Sequence, residues 1–428
     1  MAALVVGLTG AAPVAAQPAD GPDVRAIAAA ITQLTGRTGD LSVKAEFGVG
    51  ASTIATGDRH TCTLNFFGEL WCWGANASGQ LGVNSAAADS LVPVRVTARA
   101  PLAGRELLQV DAGAAHTCVV DGDGEVYCWG ENEYGQLGVG NTTDSRRPVR
   151  VPGLNGIIKV AAGATHTCAL TSGGTVSCWG RNNAGQLGTN SLAPDVDTPQ
   201  DVTTLTGIVD LAAHESNTCA VKDNGTAWCW GSNEFGQLGD GSGSPRSRVP
   251  VAVDRSGVGN PQLGQIDVGR RHVCAVDDDG AGYCWGDDSA GQLGDGGPLS
   301  GSSVPVAVAA GGRVFSIVDL GTDTTCATDQ SFNVSCWGEN AVGQLGLGDT
   351  TDRGTPDTVA GGELAGLPLT ARDGALLIEV DANFRHTCAI DLFGTVYCWG
   401  ANDHGEFGDR TRGGSAVPAR VSLGPGPV

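Results

Sequence analysis

The sequence predicts an all-β fold, a seven-bladed β-propeller of four-stranded blades, and three observations carry that prediction. Fourteen cysteines fall into seven pairs, each with a spacing of ten residues: Cys62–Cys72, Cys118–Cys128, Cys168–Cys178, Cys219–Cys229, Cys274–Cys284, Cys326–Cys336 and Cys388–Cys398. Successive units begin 50 to 62 residues apart, so one module repeats seven times and the variable length lies between modules. Within each unit, short alternating runs are broken by Gly, Asp and Pro signals, which is the pattern of strands and turns. A unit this short cannot bury a core alone, and closing seven of them about an axis removes the long open sheet edges of a linear row.

The elements of one unit follow in chain order. An apolar run such as Val110-Asp-Ala precedes Gly113-Ala-Ala-His116-Thr-Cys118 and reads as a first strand. The run through Cys118 and the run through Tyr127-Cys128-Trp129 flank Asp121-Gly-Asp-Gly124, which reads as a hairpin. If the two cysteines face each other, the turn centres five residues after the first. Six units then place Gly one residue past that centre, at Gly68, Gly124, Gly174, Gly225, Gly280 and Gly394. A three-residue loop of this kind ends in a left-handed residue, which Gly adopts without steric cost. Phe332 stands there in the sixth unit and predicts a strained or differently built turn. Opposed residues of an antiparallel pair lie close enough for a disulfide, so each unit reads as a hairpin stapled across its own strands. No Cys-x2-Cys zinc or redox spacing occurs.

Trp-Gly follows the second cysteine in all seven units. Asn stands two residues later in six of them, with Asp288 in the fifth. Gly-Gln-Leu-Gly recurs in six units and becomes Gly405-Glu-Phe-Gly408 in the seventh. A Pro-containing run such as Arg147-Pro-Val-Arg-Val151 closes the unit and reads as an edge strand, where the missing N–H is tolerated. Five histidines, His60, His116, His166, His272 and His386, occupy one repeat position, and Asn217 and Thr324 occupy it in the other units. Spread around a ring, five equivalent histidines cannot share a metal or a substrate, and they are expected to hydrogen-bond the local backbone. Asp277-Asp-Asp-Gly280 and Asp121-Gly-Asp-Gly124 lack the spacing and terminal Glu of a calcium loop and read as turn chemistry.

The unit Gly-x-x-His-Thr-Cys, a Gly turn, Cys-Trp-Gly-x-Asn-x-x-Gly-Gln-Leu-Gly resembles the regulator of chromosome condensation repeat over residues 51–423. That resemblance implies a seven-bladed propeller. The paired cysteines are similar to those of secreted bacterial members of the family.

Residues 1–16 read as a signal peptide ending at Ala16, with Val14 and Ala16 suiting a cleavage before Gln17. Residues 17–50 read as a flexible lead-in with one short helix across Val24–Leu34, residues 51–423 as the propeller and residues 424–428 as a tail. Seven cysteine pairs independently favour an oxidising compartment, so a secreted, periplasmic or cell-surface location is expected. No later apolar stretch is long enough to span a bilayer. A net charge of −21 with three lysines argues against nucleic acid as a partner. Arg146-Arg147, Arg246/Arg248 and Arg270-Arg271 read as solvated turns.

No Gly-x-Ser-x-Gly, metal-ligand cluster or unpaired cysteine nucleophile is present, and no cofactor is expected. The reading is a non-enzymatic, monomeric binding propeller acting through face loops on a protein or cell-surface ligand. A carbohydrate-binding or carbohydrate-active propeller is the alternative, and guanine-nucleotide exchange is the one the family name suggests. Extra length falls at Asp349–Leu377, Ala98–Leu108 and Asp254–Gly264. The segment from Asp349 to Leu377 is the expected partner loop.

Overall fold

Alternating residues in each unit build four antiparallel strands, and the computed structural model shows seven such sheets, each made of four consecutive strands. It describes residues 51–65, 68–96, 101–359, 377–383, 385–391 and 394–422. The expected signal peptide, lead-in with its helix, and tail lie outside the described residues. The blades span residues 51–95, 107–150, 157–201, 208–252, 263–307, 315–358 and 377–420. First strands of neighbouring blades touch one another around the ring, the seventh with the first, so they line the axis and the fourth strands form the rim. All seven fourth strands carry a proline: Pro93, Pro148, Pro199, Pro250, Pro305, Pro356 and Pro418. The rim edge therefore lacks an N–H where another chain could add a strand.

The cysteines of each pair stand directly opposite in the ladder between second and third strands, Cys118 against Cys128 and likewise in all seven blades. All seven pairs form disulfides with Cα atoms 4.1 Å apart. Each is buried. The hairpin loops are built as the glycines require. Gly124 has φ 73°, and its N–H donates to the Asp121 carbonyl oxygen at 2.9 Å. Asp121 Oδ1 accepts from the N–H groups of Asp123 and Glu125, and Asp277 Oδ1 does the same for Asp279 and Ala281. These acidic turns are backbone-satisfying turns, and among the described residues no group of three or more potential ligands could hold a metal.

Phe332 keeps the same turn rather than a different one. Its φ is 62° and its N–H donates to the Asp329 carbonyl at 2.8 Å, with the ring 37 % exposed. A left-handed conformation costs a residue with a Cβ about 1–2 kcal/mol. Replacing Phe332 by Gly is expected to stabilise the protein by about 1 kcal/mol, read as a higher urea midpoint; an unchanged or lower midpoint would show that the exposed ring repays its strain.

The two longest repeat motifs interlock between blades. The indole of each Trp-Gly lies on the last glycine of the preceding blade's Gly-Gln-Leu-Gly. A Cβ on Gly82 would meet Trp129 Nε1 at 2.7 Å, and a Cβ on Gly138 would meet Trp179 Nε1 at 2.6 Å. The indole N–H donates to the carbonyl oxygen of the Gln before it in chain order, Trp129 to Gln80 at 2.8 Å and Trp179 to Gln136 at 2.9 Å. The same carbonyl accepts from the Thr of the next blade's His-Thr-Cys, Thr117 to Gln80 and Thr167 to Gln136, both at 2.9 Å. That Thr Oγ1 in turn meets a histidine Nε2 of the preceding blade, His60 against Thr117 and His116 against Thr167, again at 2.9 Å. Because the hydroxyl proton goes to the carbonyl, the imidazole donates from Nε2.

This corrects the expectation that the histidines bond their local backbone. The imidazole is long enough to cross the seam, whereas the shorter Asn217 and Thr324 do bond locally, to the carbonyls of Ser232 and Glu339. The seam between blades four and five lacks both partners, since Val273 replaces the Thr just where Asn217 replaces the His. Trp285 still donates to the Gln237 carbonyl there, at 3.0 Å.

The ring closes with the same parts and without strand exchange. His386 meets Thr61 at 3.0 Å, and Thr61 and Trp73 donate to the Glu406 carbonyl at 3.1 and 2.6 Å. One apolar cluster joins Ile54 and Trp73 of blade one to Ile390, Val396 and Phe407 of blade seven. Near the axis, side chains of one first strand cap the open edge of the next. Gln109 bonds both backbone groups of Val160, Asp111 accepts from the Ala162 N–H, and Asp267 accepts from the Leu320 N–H. Buried backbone groups need such partners.

Candidate partner-binding face at the axial mouth

Four antiparallel strands per blade send alternate connections to opposite faces. One face carries the turns between first and second strands and the long loops between third and fourth strands. The other carries the disulfide-hairpin turns and the connections to the next blade. On the first face the long loop is held by its motif. The Asn132 side chain accepts from the Leu137 N–H at 2.9 Å and donates to the carbonyls of Asn141 and Thr143, and Gln136 Oε1 accepts from the Tyr134 N–H. In blade five, Asp288 keeps the acceptor half of this role toward Leu293, and burial pushes its carboxyl up to about 6.

That rigid scaffold presents positions that differ from blade to blade. The two residues between the turn Gly and the His are Asp58-Arg59, Ala114-Ala115, Ala164-Thr165, Glu215-Ser216, Arg270-Arg271 and Thr322-Asp323 in blades one to six. They form the innermost rings around the mouth of the axis. The turn Gly itself is replaced by His214 in blade four and Asn383 in blade seven. These two meet across the ring, His214 Nε2 against Asn383 Oδ1 at 3.3 Å, and Asn383 also donates to the Thr56 carbonyl.

Outside these rings lie the residue after Trp-Gly and the one three further on. The residue after Trp-Gly bonds the mouth turn of its own blade, as Glu131 N–H does to the Ala115 carbonyl and Asp287 N–H to the Arg271 carbonyl. Two arginines stack on aromatic rings of the preceding blade: Arg181 lies 4.6 Å from the Tyr134 centroid and Arg271 4.7 Å from the Phe235 centroid. Phe235 remains 38 % exposed. Arg270 Nε is 3.6 Å from Glu215 and Arg271 is 3.9 Å from Asp287. Half-buried Arg and Tyr with an exposed Phe, held on a rigid ring, are the residue types that dominate protein interfaces.

The mouth is also electrostatically unsettled. Burial pushes the carboxyls of Asp58, Glu131, Asp323 and Glu339 above their ordinary range, and neighbouring carboxylates add to the shift at Glu131 and Glu339. Beneath it, burial drives the seam histidines down, His60, His166, His272 and His386 to about 3 and His116 to about 4. They are neutral at physiological pH and serve the seams.

The expected partner segment from Asp349 to Leu377 divides. Asp349 accepts from the Asn340 amide and the Arg353 guanidinium within the long loop of blade six, and residues Arg353–Thr358 are that blade's fourth strand. Residues 360–376 lie outside the described residues. Arg270-Arg271, read from the sequence as a solvated turn, instead stands in the mouth, with Arg271 on Phe235. Sequence reasoning missed Tyr134, Arg181, Phe235 and the paired mouth residues. The usable signal was the contrast, within an otherwise constant repeat, of the two positions in Gly-x-x-His.

Comparison with known proteins agrees with this architecture. The model of the RCC1-like domain matches residues 31–373, and that of the regulator of chromosome condensation (RCC1) repeat matches residues 378–406. The Ultraviolet-B receptor UVR8 of Arabidopsis thaliana is 33 % identical over 320 residues, 74 % of this chain and 60 % of that protein. The human E3 ubiquitin-protein ligase HERC2 is 32 % identical over 315 residues, 72 % of this chain but 5 % of its own length. The chain thus spans less than two thirds of these relatives. Among solved structures, human WBSCR16 superposes with a TM-score of 0.71 at 24 % identity, covering 81 % of this chain and 87 % of that one. Prp20p from Saccharomyces cerevisiae superposes with a TM-score of 0.68 at 23 % identity, covering 79 % and 82 %. With the family model matching most of its length and the repeat model matching the remainder of the seventh unit, the chain belongs to the RCC1-like domain family.

Proposed function

We propose that this chain is an exported, non-catalytic propeller that binds a protein or cell-surface ligand through the face bearing the axial mouth. The observation that carries the reading is the pair of arginine–aromatic stacks, Arg181 on Tyr134 and Arg271 on Phe235, set in register on a scaffold whose other positions repeat. Seven buried disulfides using every cysteine support an oxidising compartment. Among the described residues no helix is long and apolar enough to cross a membrane. The segment 360–376 is the other place where a partner could be gripped, and its described ends, Val359 and Leu377, lie on the opposite face.

Capture from the producer's extracellular medium tests this. Hot-spot truncations cost 2 kcal/mol or more, roughly a 30-fold loss of affinity. The double variant Phe235→Ala, Arg271→Ala is expected to lose the captured partner, while deletion of residues 362–374 retains it. Retention by the double variant together with loss on deletion would move the site to the opposite face.

A further inference from the structure

The mouth gathers carboxylates that have no ion-paired partner among the described residues. Four half-buried carboxylates surround it, Asp58 from blade one, Glu131 from blade two, and Asp323 and Glu339 from blade six. None of them forms an ion pair among the described residues. The arginines of the same rings act on them only from a distance: Arg270 faces Glu215, Arg271 faces Asp287 and Phe235, and these two with Arg59 and Arg385 draw the carboxyls of Asp58, Asp323 and Glu339 down by less than burial raises them. The donors that do reach the carboxylates are uncharged. Gln136 Nε2 lies 3.2 Å from Glu131, Gln344 Nε2 3.3 Å from Glu339, and Gln292 Nε2 3.4 Å from Asp323.

Two further polar atoms in the innermost ring have no partner. Thr322 is only 5 % exposed and its hydroxyl is unbonded. His214 donates from Nε2 to Asn383, which leaves Nδ1 as a buried acceptor without a donor. Carboxylates withdrawn from water without a counter-charge in direct contact cost free energy unless something returns it. Buried unsatisfied groups in a native fold likewise point to a missing partner. A group rich in N–H donors and carrying positive charge answers both deficits.

We propose that the axial mouth is a receptor for a cationic side chain, an arginine or lysine presented by the partner, inserted among Asp58, Glu131, Asp323 and Glu339. This rests on the reading that the mouth face binds a protein, and it names the chemistry of what enters. The stacked Arg–aromatic pairs would contact the rim of that partner while its basic residue fills the centre. The raised carboxyls support the same arrangement, because a guanidinium drawn among them favours their charged forms against the burial that raises them.

Calorimetry with an end-capped hexa-arginine peptide at pH 5.5, in two buffers of different ionisation enthalpy, reads both affinity and protons released. The unaltered protein is expected to bind one peptide and release protons. Glu131→Gln with Glu339→Gln is expected to weaken binding by about tenfold or more and to remove most of the release. Asp278→Asn with Asp279→Asn changes the net charge equally on the opposite face and is expected to leave both unchanged. Should the Glu pair disturb folding, seen as a lowered thermal midpoint, Asp323→Asn serves as the second mouth variant.

Equal weakening by both charge variants would reduce the effect to the overall −21 charge and overturn the proposal. Absence of binding would overturn it as well. The two readings fail separately. Partner capture that depends on Phe235 and Arg271, with no peptide bound at the mouth, sinks the cationic receptor alone. Peptide binding at the mouth, with capture indifferent to those residues, sinks the protein-binding reading alone.

Discussion

Lowering the pH from 6.5 to 4.5 is expected to destabilise the propeller, the histidines of five of its seven seams together withdrawing on the order of 10 kcal/mol. Each unfolded histidine takes up a proton near pH 6.5. In the folded chain, burial delays uptake to about 3 at His60, His166, His272 and His386 and to about 4 at His116. Between those values the unfolded chain holds more protons, so stability is complete above pH 6.5 and falls as the pH drops through the window. Protonation would also place a second N–H on a ring whose Nδ1 has no partner, as at His60, His116, His166 and His272.

Carboxyls raised by burial work in the opposite sense: Asp58, Asp111, Glu131, Asp195, Asp267, Asp288, Asp323, Glu339 and Glu406. Asp267 is held up to about 7 and Asp288 to about 6, so the folded chain keeps a proton that the unfolded chain loses, and these groups add stability as the pH falls. Five fully buried imidazoles outweigh Asp267 and Asp288 together. The thermal midpoint should fall by on the order of 10 °C or more over this range. Replacing His116 by Asn, the residue blade four already uses as Asn217, should flatten the profile. Hydrogen exchange at pH 5 should accelerate at the seams that carry histidine and not at the Asn217 and Thr324 turns. A midpoint that does not move between pH 6.5 and 4.5 would remove the histidines from the account of stability.

The second large effect belongs to the tryptophans. Trp129 is fully buried, lies on Gly82 and donates to the Gln80 carbonyl, so it joins blade two to blade one by area and by hydrogen bond. Trp129→Ala is expected to cost about 3–5 kcal/mol through the cavity it leaves. It also strips one donor from a carbonyl that Thr117 still serves. Trp129→Phe keeps most of the burial and should cost less, about 1–2 kcal/mol, chiefly from the lost hydrogen bond. Urea unfolding of the two variants reads the difference. Equal costs would mean that the hydrogen bond, rather than packing against Gly82, holds the seam. The same change at Trp73 should be as costly, since the closing seam uses the same parts.

Much of the fold was legible because every unit repeats the same physical solution. Cys118 and Cys128 fixed the hairpin register, Gly124 marked its left-handed residue, and Pro148 marked the rim strand. What the sequence could not show was the reason for Trp-Gly and Gly-Gln-Leu-Gly. Their partners lie in different blades, and a repeat read unit by unit hides a contact between units. The histidines were misread for that reason: His116 spans to Thr167, 51 residues on, and only the closed ring brings them together. The coupled loss of His and Thr at Asn217 and Val273 was visible in the sequence, yet it means something only once the seam is known.

The candidate site was less legible. Insertions such as Asp349–Leu377 stand out by length, whereas the mouth residues occupy two positions inside a constant motif. Ring geometry gathers those positions about one axis, so Asp58 and Asp323, far apart in the chain, share one opening.

The central claim is that binding occurs at the mouth face, and hydrogen exchange of the chain with and without its captured extracellular partner tests it most directly. Protection is expected at the turns around Asp58, Glu215, Arg270 and Asp323 and at the long loops around Tyr134 and Phe235. Protection confined to the disulfide-hairpin turns and to the connections between blades, residues 360–376 among them, would contradict it.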